Sequence, residues 1–455
     1  MGKKFDFDYI VIGSGTAGST AALMAAGAGL SVALIEAEKW GGSELNYRDV
    51  PYNAALHFSH SYAAALSGAK IGLSSTNLRY NYPTALNWRA SVVRKSGGGN
   101  KKRFEDAGVT CIKGFAHFMG PNTISVGEKE ISAKKFLIAT GAVPAKTKIT
   151  GATEANCLMP SNVLDLKRLP KVALVVGAGA TGCEIAEYLA ELGVKVLIAE
   201  SKKQLLPNED AEVGQVMAEY FEKKLGIKVL TGSKVVAIES EKIAKKVIFV
   251  HGQQEKTVRV ETVVLATGTA PATDLGLENA EVRYDKDGIL VDKMLMTTNK
   301  NILAAGDVLG GESSAEKASY QAAIATSNIV NRNKGAVENR GYARIVNTVP
   351  QVACVGLTEE DCKKRKLKYR AALVPIAQIS AANTEDFSVG FVKMLANRDG
   401  KILGAAVVSP QADVVIQEIA LAMKAELKPI DIASTPHVAG AWAEAVRLAA
   451  RRLAS

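Results

Sequence analysis

Apolar residues along this chain gather in short runs that end on glycine. Tyr9 to Ile12 is one such run, as a buried parallel strand requires. Gly13-Ser14-Gly15-Thr16-Ala17-Gly18 follows. An alanine-rich stretch from Thr20 to Ala28 then predicts a helix closed by Gly29. Ser31 to Ile35 predicts a second strand, with Glu36 at its end. The pattern recurs further on. Val172 to Val176 predicts a strand, Gly177-Ala178-Gly179-Ala180-Thr181-Gly182 a loop, and Cys183 to Leu192 a helix stopped by Gly193. Val194 to Ala199 predicts the next strand, and Glu200 ends it. In both copies the acid stands 23 residues after the first glycine.

This layout carries a chemistry. Glycines let the backbone approach a pyrophosphate, the helix N-terminus offers free N–H groups, and the terminal acid accepts from ribose hydroxyls. A lone glycine motif says little, but a strand before it, a helix after it and the acid at this spacing make a dinucleotide site. The candidate binding positions are Gly13, Gly15, Thr16, Ala17, Gly18, Glu36 and Ala37 in the first copy. In the second they are Gly177, Gly179, Ala180, Thr181, Gly182 and Glu200. A carboxylate at Glu200 accepts from a 2′-hydroxyl and repels a 2′-phosphate, so NADH is expected over NADPH. Lys202 and Lys203 leave some room for NADPH.

Composition narrows the class. The 455 residues, 47% hydrophobic and 22% charged, make about three globular domains' worth of chain. No apolar run reaches the length of a membrane span, and the first residues lack the pattern of a secretory signal, so a cytoplasmic location is expected. The formal charge of +10 is spread without the interleaved aromatics of a nucleic-acid groove, and no nucleic-acid partner is expected. Five cysteines without paired spacing argue against a disulfide framework and a zinc site alike. His57 and His60 are three apart, but no metal site is expected from them. Gly97 to Asn100 predicts a loop, and turn-rich linkers are expected at Thr147 to Thr153 and Gly335 to Gly341.

Beyond the two loops, Gly41-Gly42, the segments FLIATGAVP (Phe136 to Pro144) and VVLATGTAP (Val263 to Pro271), and NILAAGDV (Asn301 to Val308) form a set. With VPQVACVGLT (Val349 to Thr358) and Gly390 to Pro410, the chain resembles the flavoprotein disulfide reductases over nearly its whole length. These are the class I pyridine nucleotide-disulfide oxidoreductases, similar to dihydrolipoamide dehydrogenase and mercuric reductase. The resemblance implies an α/β fold of two Rossmann-like dinucleotide-binding domains and a C-terminal α+β dimerisation domain. Residues 1–150 and 271–335 would form a discontinuous FAD domain, 151–270 the NAD(P) domain and 336–455 the interface of a homodimer. It implies further contacts for FAD and NAD at Gly42, Ser43, Ala116, Thr140, Gly141, Thr267, Gly268, Gly306, Asp307 and Ala315, with Asp307 holding the flavin's ribityl chain.

The chain departs from this family where the family does its chemistry. The redox motif aligns on Gly41, Gly42, Asn46 and Pro51, and places Glu44 and Asp49 where the two cysteines stand. Asn53 replaces a lysine beside the flavin, although its partner glutamate is kept as Glu184. In the C-terminal motif, anchored on Glu444, the catalytic histidine becomes Ala439, and His437 stands two residues too far from Glu444 for the usual pair. Disulfide reduction needs an attacking thiolate, a resolving thiol and a base. The expected activity is therefore a diaphorase- or quinone reductase-like transfer from NADH through FAD to a small acceptor: a quinone, dye, metal ion or oxygen. The other readings are a flavin subunit serving a protein partner, and a non-catalytic dinucleotide-binding relic. Glu44, Asp49 and Tyr52 would line the acceptor side, with Tyr47, and Trp40 and Tyr62 would add aromatic surface suited to a flat acceptor such as a quinone, although aromatic residues at such positions more often serve packing. The two carboxylates, five apart on one helix, either handle protons or a cation, or merely fill the old pocket.

Overall fold

A computed structural model describes residues 5–74, 77–97, 101–311, 313–331, 335–338 and 341–454. The loop expected at Gly98 to Asn100, and residues 339 and 340 of the second expected linker, lie outside the described residues. The chain divides into two compact units: residues 1–54, 84–146 and 268–338, and residues 55–83, 147–267 and 339–455. Residues 55–83, inside the stretch expected for the first domain, group with the second unit. The division falls within the helix Asp49–Ser67.

The first unit is built on a seven-stranded sheet. Strand Phe7–Ile12 pairs in parallel with Val32–Glu36 on one side and Lys129–Ile138 on the other. Thr110–Lys113 and Ile302–Ala304 extend the parallel part, and Thr123–Val126 and Ala116–Gly120 continue it as an antiparallel meander. The parallel strands are covered on both faces, which explains why residues 9–12 and 32–35 read as unbroken apolar runs rather than alternating ones. One face carries the alanines of helix Thr16–Gly27, small enough to let it lie close to helix Ala315–Val330. Short strands Ala142–Pro144 and Thr269–Pro271 pair antiparallel where the chain leaves and re-enters the unit.

The second unit repeats the parallel motif. Its four-stranded sheet runs Lys228–Leu230, Lys195–Ala199, Val172–Val176, Thr262–Leu265, all parallel. A three-stranded antiparallel sheet, Ser233–Ser240 with Lys245–His251 and Gln254–Val260, packs beside it. The C-terminal part is a five-stranded antiparallel sheet, with helices Ala412–Lys424 and Glu444–Ala454 covering it. The fold is thus α/β with two Rossmann-like sheets and an α+β C-terminal domain. The basic stretch Lys363 to Arg370 spans the end of a short helix and the start of a strand. Thr358 and Asp361 cap the short helix Glu359–Lys364, and Tyr369–Pro375 is a strand. Among the described residues no helix is long and apolar enough to cross a membrane.

Candidate functional site

Both glycine loops obey the same steric logic. Gly13 has φ +100°, and a Cβ there would lie 2.3 Å from the Ala139 carbonyl oxygen. Gly177 has the same φ, and its Cβ would lie 2.3 Å from the Ala266 oxygen. Gly18 and Gly182 allow each helix to seat against its own loop: added Cβ atoms would meet the Gly13 and Gly177 oxygens at 1.8 and 2.0 Å. The helices accordingly begin at Thr16 and Ala180, earlier than the alanine pattern suggested, because Gly15 and Gly179 act as their N-caps. Ala17 and Gly18 are buried, whereas Ala37 is exposed.

The middle glycines differ in kind. A Cβ on Gly15 would meet only the Gly42 Cα, at 3.8 Å, and one on Gly179 would meet nothing within 4 Å. Each loop therefore presents open backbone at a helix N-terminus. The shape and the polarity fit the diphosphate of a dinucleotide. From the other side the approach is tight, since a Cβ on Gly42 would fall 2.4 Å from the Gly15 Cα.

The terminal acids tie back to the loops. Glu36 Oε2 accepts from the Ser14 N–H at 2.9 Å and from its hydroxyl at 2.5 Å, and Oε1 accepts from the Glu38 N–H at 2.6 Å. Glu200 repeats this, accepting from the Ala178 N–H at 2.9 Å, the Lys202 N–H at 2.8 Å and the Ser201 hydroxyl at 3.1 Å. Both carboxylates are buried and hydrogen-bonded, with lone pairs left for a ribose hydroxyl.

In the first unit, Glu44 and Asp49 do not share a helix. Gly42–Asn46 is one short helix and Asp49–Ser67 another, separated at Tyr47 and Arg48. Asp49 begins the second, where its charge suits the helix dipole and Pro51 needs no N–H partner. The Thr16 hydroxyl donates to Glu44 Oε2. Burial raises the Glu44 carboxyl above its ordinary range, and the charges of Asp49 and Glu316 raise it further. Asp49 is raised for the same first reason, opposed by Arg48. Arg48 also donates to Asp307 Oδ2 at 3.3 Å. Asn46 and Ser43 hold this segment: the Asn46 amide donates to the Trp40 and Gly42 carbonyls, and the Ser43 carbonyl accepts from Tyr47 and Arg48. Arg48 and Glu316 were not singled out from the sequence; one lies between the expected acids and the other follows Ala315, but nothing local says they converge.

The remaining residues of this unit are placed as follows. Gly306 has φ +82°, its N–H donates to the Gln321 amide oxygen at 2.9 Å, and it faces Ala17. Ala315 opens its helix behind the Ser314 cap. The Thr140 hydroxyl donates to the Ala272 carbonyl at 2.7 Å, and Gly141 and Gly268 have positive φ beside the paired crossing strands. Ala116 is buried at the start of its strand. Asn53 is exposed, and Tyr52 is buried. Trp40 is core, packed on Phe104, and Tyr47 lies under the Lys39 ammonium. Tyr62 belongs to an aromatic group with Tyr80 in the second unit.

In the second unit, Glu184 Oε1 accepts from the Asn347 N–H at 2.9 Å and its side-chain amide at 3.2 Å. Thr181 and Gly182 open the same helix, and Thr267 is exposed at the unit's edge. His437 and Glu444 do not pair. The imidazole Nε2 meets the Glu418 carboxylate at 3.1 Å, its Nδ1 meets the Thr435 carbonyl, and Glu444 instead pairs with Arg447. Helix Ala412–Lys424 carries Glu418 and supplies a nearer acid than the spacing to Glu444 could. All five cysteines are free, and burial raises every thiol: Cys111, Cys157, Cys183, Cys354 and Cys362.

Comparison with known proteins gives a consistent result. The family model for pyridine nucleotide-disulphide oxidoreductases matches residues 7–322, and that for their dimerisation domain matches residues 342–450. A dihydrolipoyl dehydrogenase of Bacillus subtilis is 30% identical over 437 residues, covering 94% of this chain and 93% of its own. A mercuric reductase of Bacillus cereus is 30% identical and covers 98% of this chain and 71% of its own. The crystal structure of LpdA from Mycobacterium tuberculosis superposes with a TM-score of 0.87 at 25% identity, covering 98% of this chain and 99% of that one.

Proposed function

The chain belongs to the pyridine nucleotide-disulphide oxidoreductase family, whose members are FAD- and NAD(P)-dependent, and from that premise we propose that it passes electrons from NADH through FAD to a small acceptor that is not a disulfide. The observation that carries this reading is the chemistry at positions 44 and 49. Glu44 and Asp49, with raised carboxyls, occupy the segment after Gly41-Gly42, where a disulfide reductase needs two thiols. The five thiols elsewhere favour this reading too, since a nucleophilic cysteine is a thiolate and burial pushes each of them away from that form.

The residues present fit both cofactors. Gly13, Gly15 and Gly18 would hold the FAD diphosphate, Glu36 its ribose and Asp307 its ribityl chain; Gly177, Gly179, Gly182 and Glu200 would do the same for NADH. When bound, FAD supplies uptake of a hydride and delivery of electrons singly or in pairs. Ala180, small and at the start of helix Ala180–Glu191, would leave room for the nicotinamide of a bound NADH. Glu44 holds a proton on its carboxyl more readily than an ordinary glutamate, and its Oε2 is fixed by Thr16, so it can give that proton to a reduced acceptor. Asp49 and Tyr52 would line the same side. Glu184, His437 and Glu444, freed from thiol chemistry, serve packing through Asn347, Glu418 and Arg447. The C-terminal domain would join two copies as a homodimer, and the free cysteines suit the cytoplasm.

The test is anaerobic. NADH added to the purified holoprotein should bleach the flavin, and menadione or a dye should restore it. Lipoamide and glutathione disulfide should not be reduced. Failure of NADH to bleach the flavin, or sustained NADH-dependent reduction of either disulfide, overturns the proposal.

A further inference from the structure

Away from the glycine loops, the second unit holds a buried polar cluster that the electron route does not use. His60 extends from helix Asp49–Ser67, and Glu187 and Glu191 from one face of helix Ala180–Glu191. His60 Nε2 lies 3.6 Å from Glu187 Oε2 and 3.7 Å from Glu191 Oε2. One ligand atom from each residue falls within 4.8 Å of the other two. The Glu187 side chain is fully buried and that of Glu191 is 5% exposed. Two atoms aimed into the cluster, His60 Nε2 and Glu191 Oε2, are buried without a hydrogen-bond partner. Buried polar atoms are rarely left this way, because each forfeits its hydration for nothing in return.

We propose that His60, Glu187 and Glu191 bind one divalent transition-metal cation, of which Zn2+ is the representative. Zn2+ takes imidazole nitrogen at about 2.0–2.1 Å and carboxylate oxygen at about 2.0–2.2 Å, which sets tetrahedral donors roughly 3.4 Å apart. The two His60 contacts already approach that spacing. One nitrogen and two oxygens without sulfur suit Zn2+ and its neighbours rather than a soft cation, and the set leaves a fourth position for water. Glu187 also has the outer support that ligands need, since both its oxygens accept from the Val349 N–H at 3.0 Å. The cation would clamp two helices of the second unit. His57, three residues before His60, is exposed and takes no part. The expectation of no metal site rested on cysteine and histidine spacing, which cannot register two glutamates more than a hundred residues downstream.

The site is independent of what the flavin reduces, and its test does not use activity. Full-length holoprotein, stripped with a chelator, is titrated with Zn2+ alone against a chromophoric competitor. One Zn2+ per chain should bind, and its X-ray absorption should show nitrogen and oxygen neighbours including imidazole, with no sulfur. Glu191→Gln and His60→Asn should each weaken binding by roughly tenfold or more. His57→Asn should leave it unchanged. Absence of binding, sulfur in the metal's shell, or affinity unmoved by Glu191→Gln and His60→Asn in folded protein each overturns the proposal. Should either variant fail to fold, the absorption spectrum of the wild-type protein decides alone.

Discussion

Gly15→Ala and Gly18→Ala, three residues apart in one loop, should fail in opposite ways. At Gly18 a methyl would stand 1.8 Å from the Gly13 carbonyl oxygen, well inside contact distance, and both atoms belong to a loop held against the sheet. The helix must move off its loop by more than 1 Å. Overpacking of side chains costs about 1–3 kcal/mol, and a backbone collision belongs at or above the top of that range. At Gly15 the picture inverts. The residue has φ −65°, which alanine accepts, and its new methyl would meet only the Gly42 Cα at 3.8 Å. Replacing a glycine without strain stabilises by about 0.4–1 kcal/mol through the unfolded chain. Yet the methyl would project where the diphosphate must come closest. Apo-protein melts should therefore rank Gly15→Ala at or above wild type and Gly18→Ala well below it. FAD reconstitution, followed by flavin absorbance, should show affinity at least tenfold lower for Gly15→Ala, about 1.4 kcal/mol. A Gly15→Ala protein that binds FAD as tightly as wild type would refute the placement of the diphosphate. A Gly18→Ala protein as stable as wild type would refute the close approach itself.

Glu200→Gln should raise KM for NADH roughly tenfold with little change in kcat, because the ribose contact is made equally in ground and transition states; an unchanged KM places the ribose elsewhere. Glu44→Gln should remove the fall in quinone reduction that occurs as pH rises through the Glu44 titration, which its raised carboxyl places above the ordinary carboxylate range; a fall that persists assigns the proton to another group. Asp8 accepts from the Lys134 ammonium and from Ser31, which lower its carboxyl to about 2. A lowered folded-state pKa stabilises above the unfolded value and is lost on acidification. Asp8→Asn should thus cost about 1 kcal/mol at neutral pH, after allowing for solvent screening, and the difference should vanish between about pH 4 and pH 2. Lys393, with a side chain only 2% exposed, meets Glu359 at 2.7 Å, Glu212 at 2.9 Å and Asp210 at 3.4 Å. Lys393→Met should lower stability by about 3 kcal/mol, the low end for a broken buried pair because two of the acids reach solvent, and a thermal melt within a degree of wild type would contradict this.

The dinucleotide loops were legible because their requirements are local. Gly13, Gly18, Gly177 and Gly182 need no side chain for reasons that lie within a few residues or on the next strand, and Glu36 and Glu200 close on N–H groups of the same loops. The rest of the candidate site depends on partners far away in sequence. A five-residue spacing between Glu44 and Asp49 does not reveal that one helix stops at Asn46 and another starts at Asp49. Spacing put His437 too far from Glu444 for the usual pair but named no other partner, whereas packing of the C-terminal helices brings Glu418 to it. The sequence left Trp40 open between acceptor surface and packing, and its packing partner Phe104 lies 64 positions on.

The contact between Gly15 and Gly42 has a consequence for how such a protein can change. Gly42 accepts no side chain, since a Cβ there would fall 2.4 Å from the Gly15 Cα, so the segment bearing residues 43 to 49 is anchored by this backbone contact and by the Asn46 amide. Its reactive groups are then interchangeable parts on a fixed mount. An ancestor could exchange thiols for carboxylates, and a protein engineer could attempt the reverse, with the main chain keeping its course. New chemistry would cost this scaffold two side chains rather than a new fold.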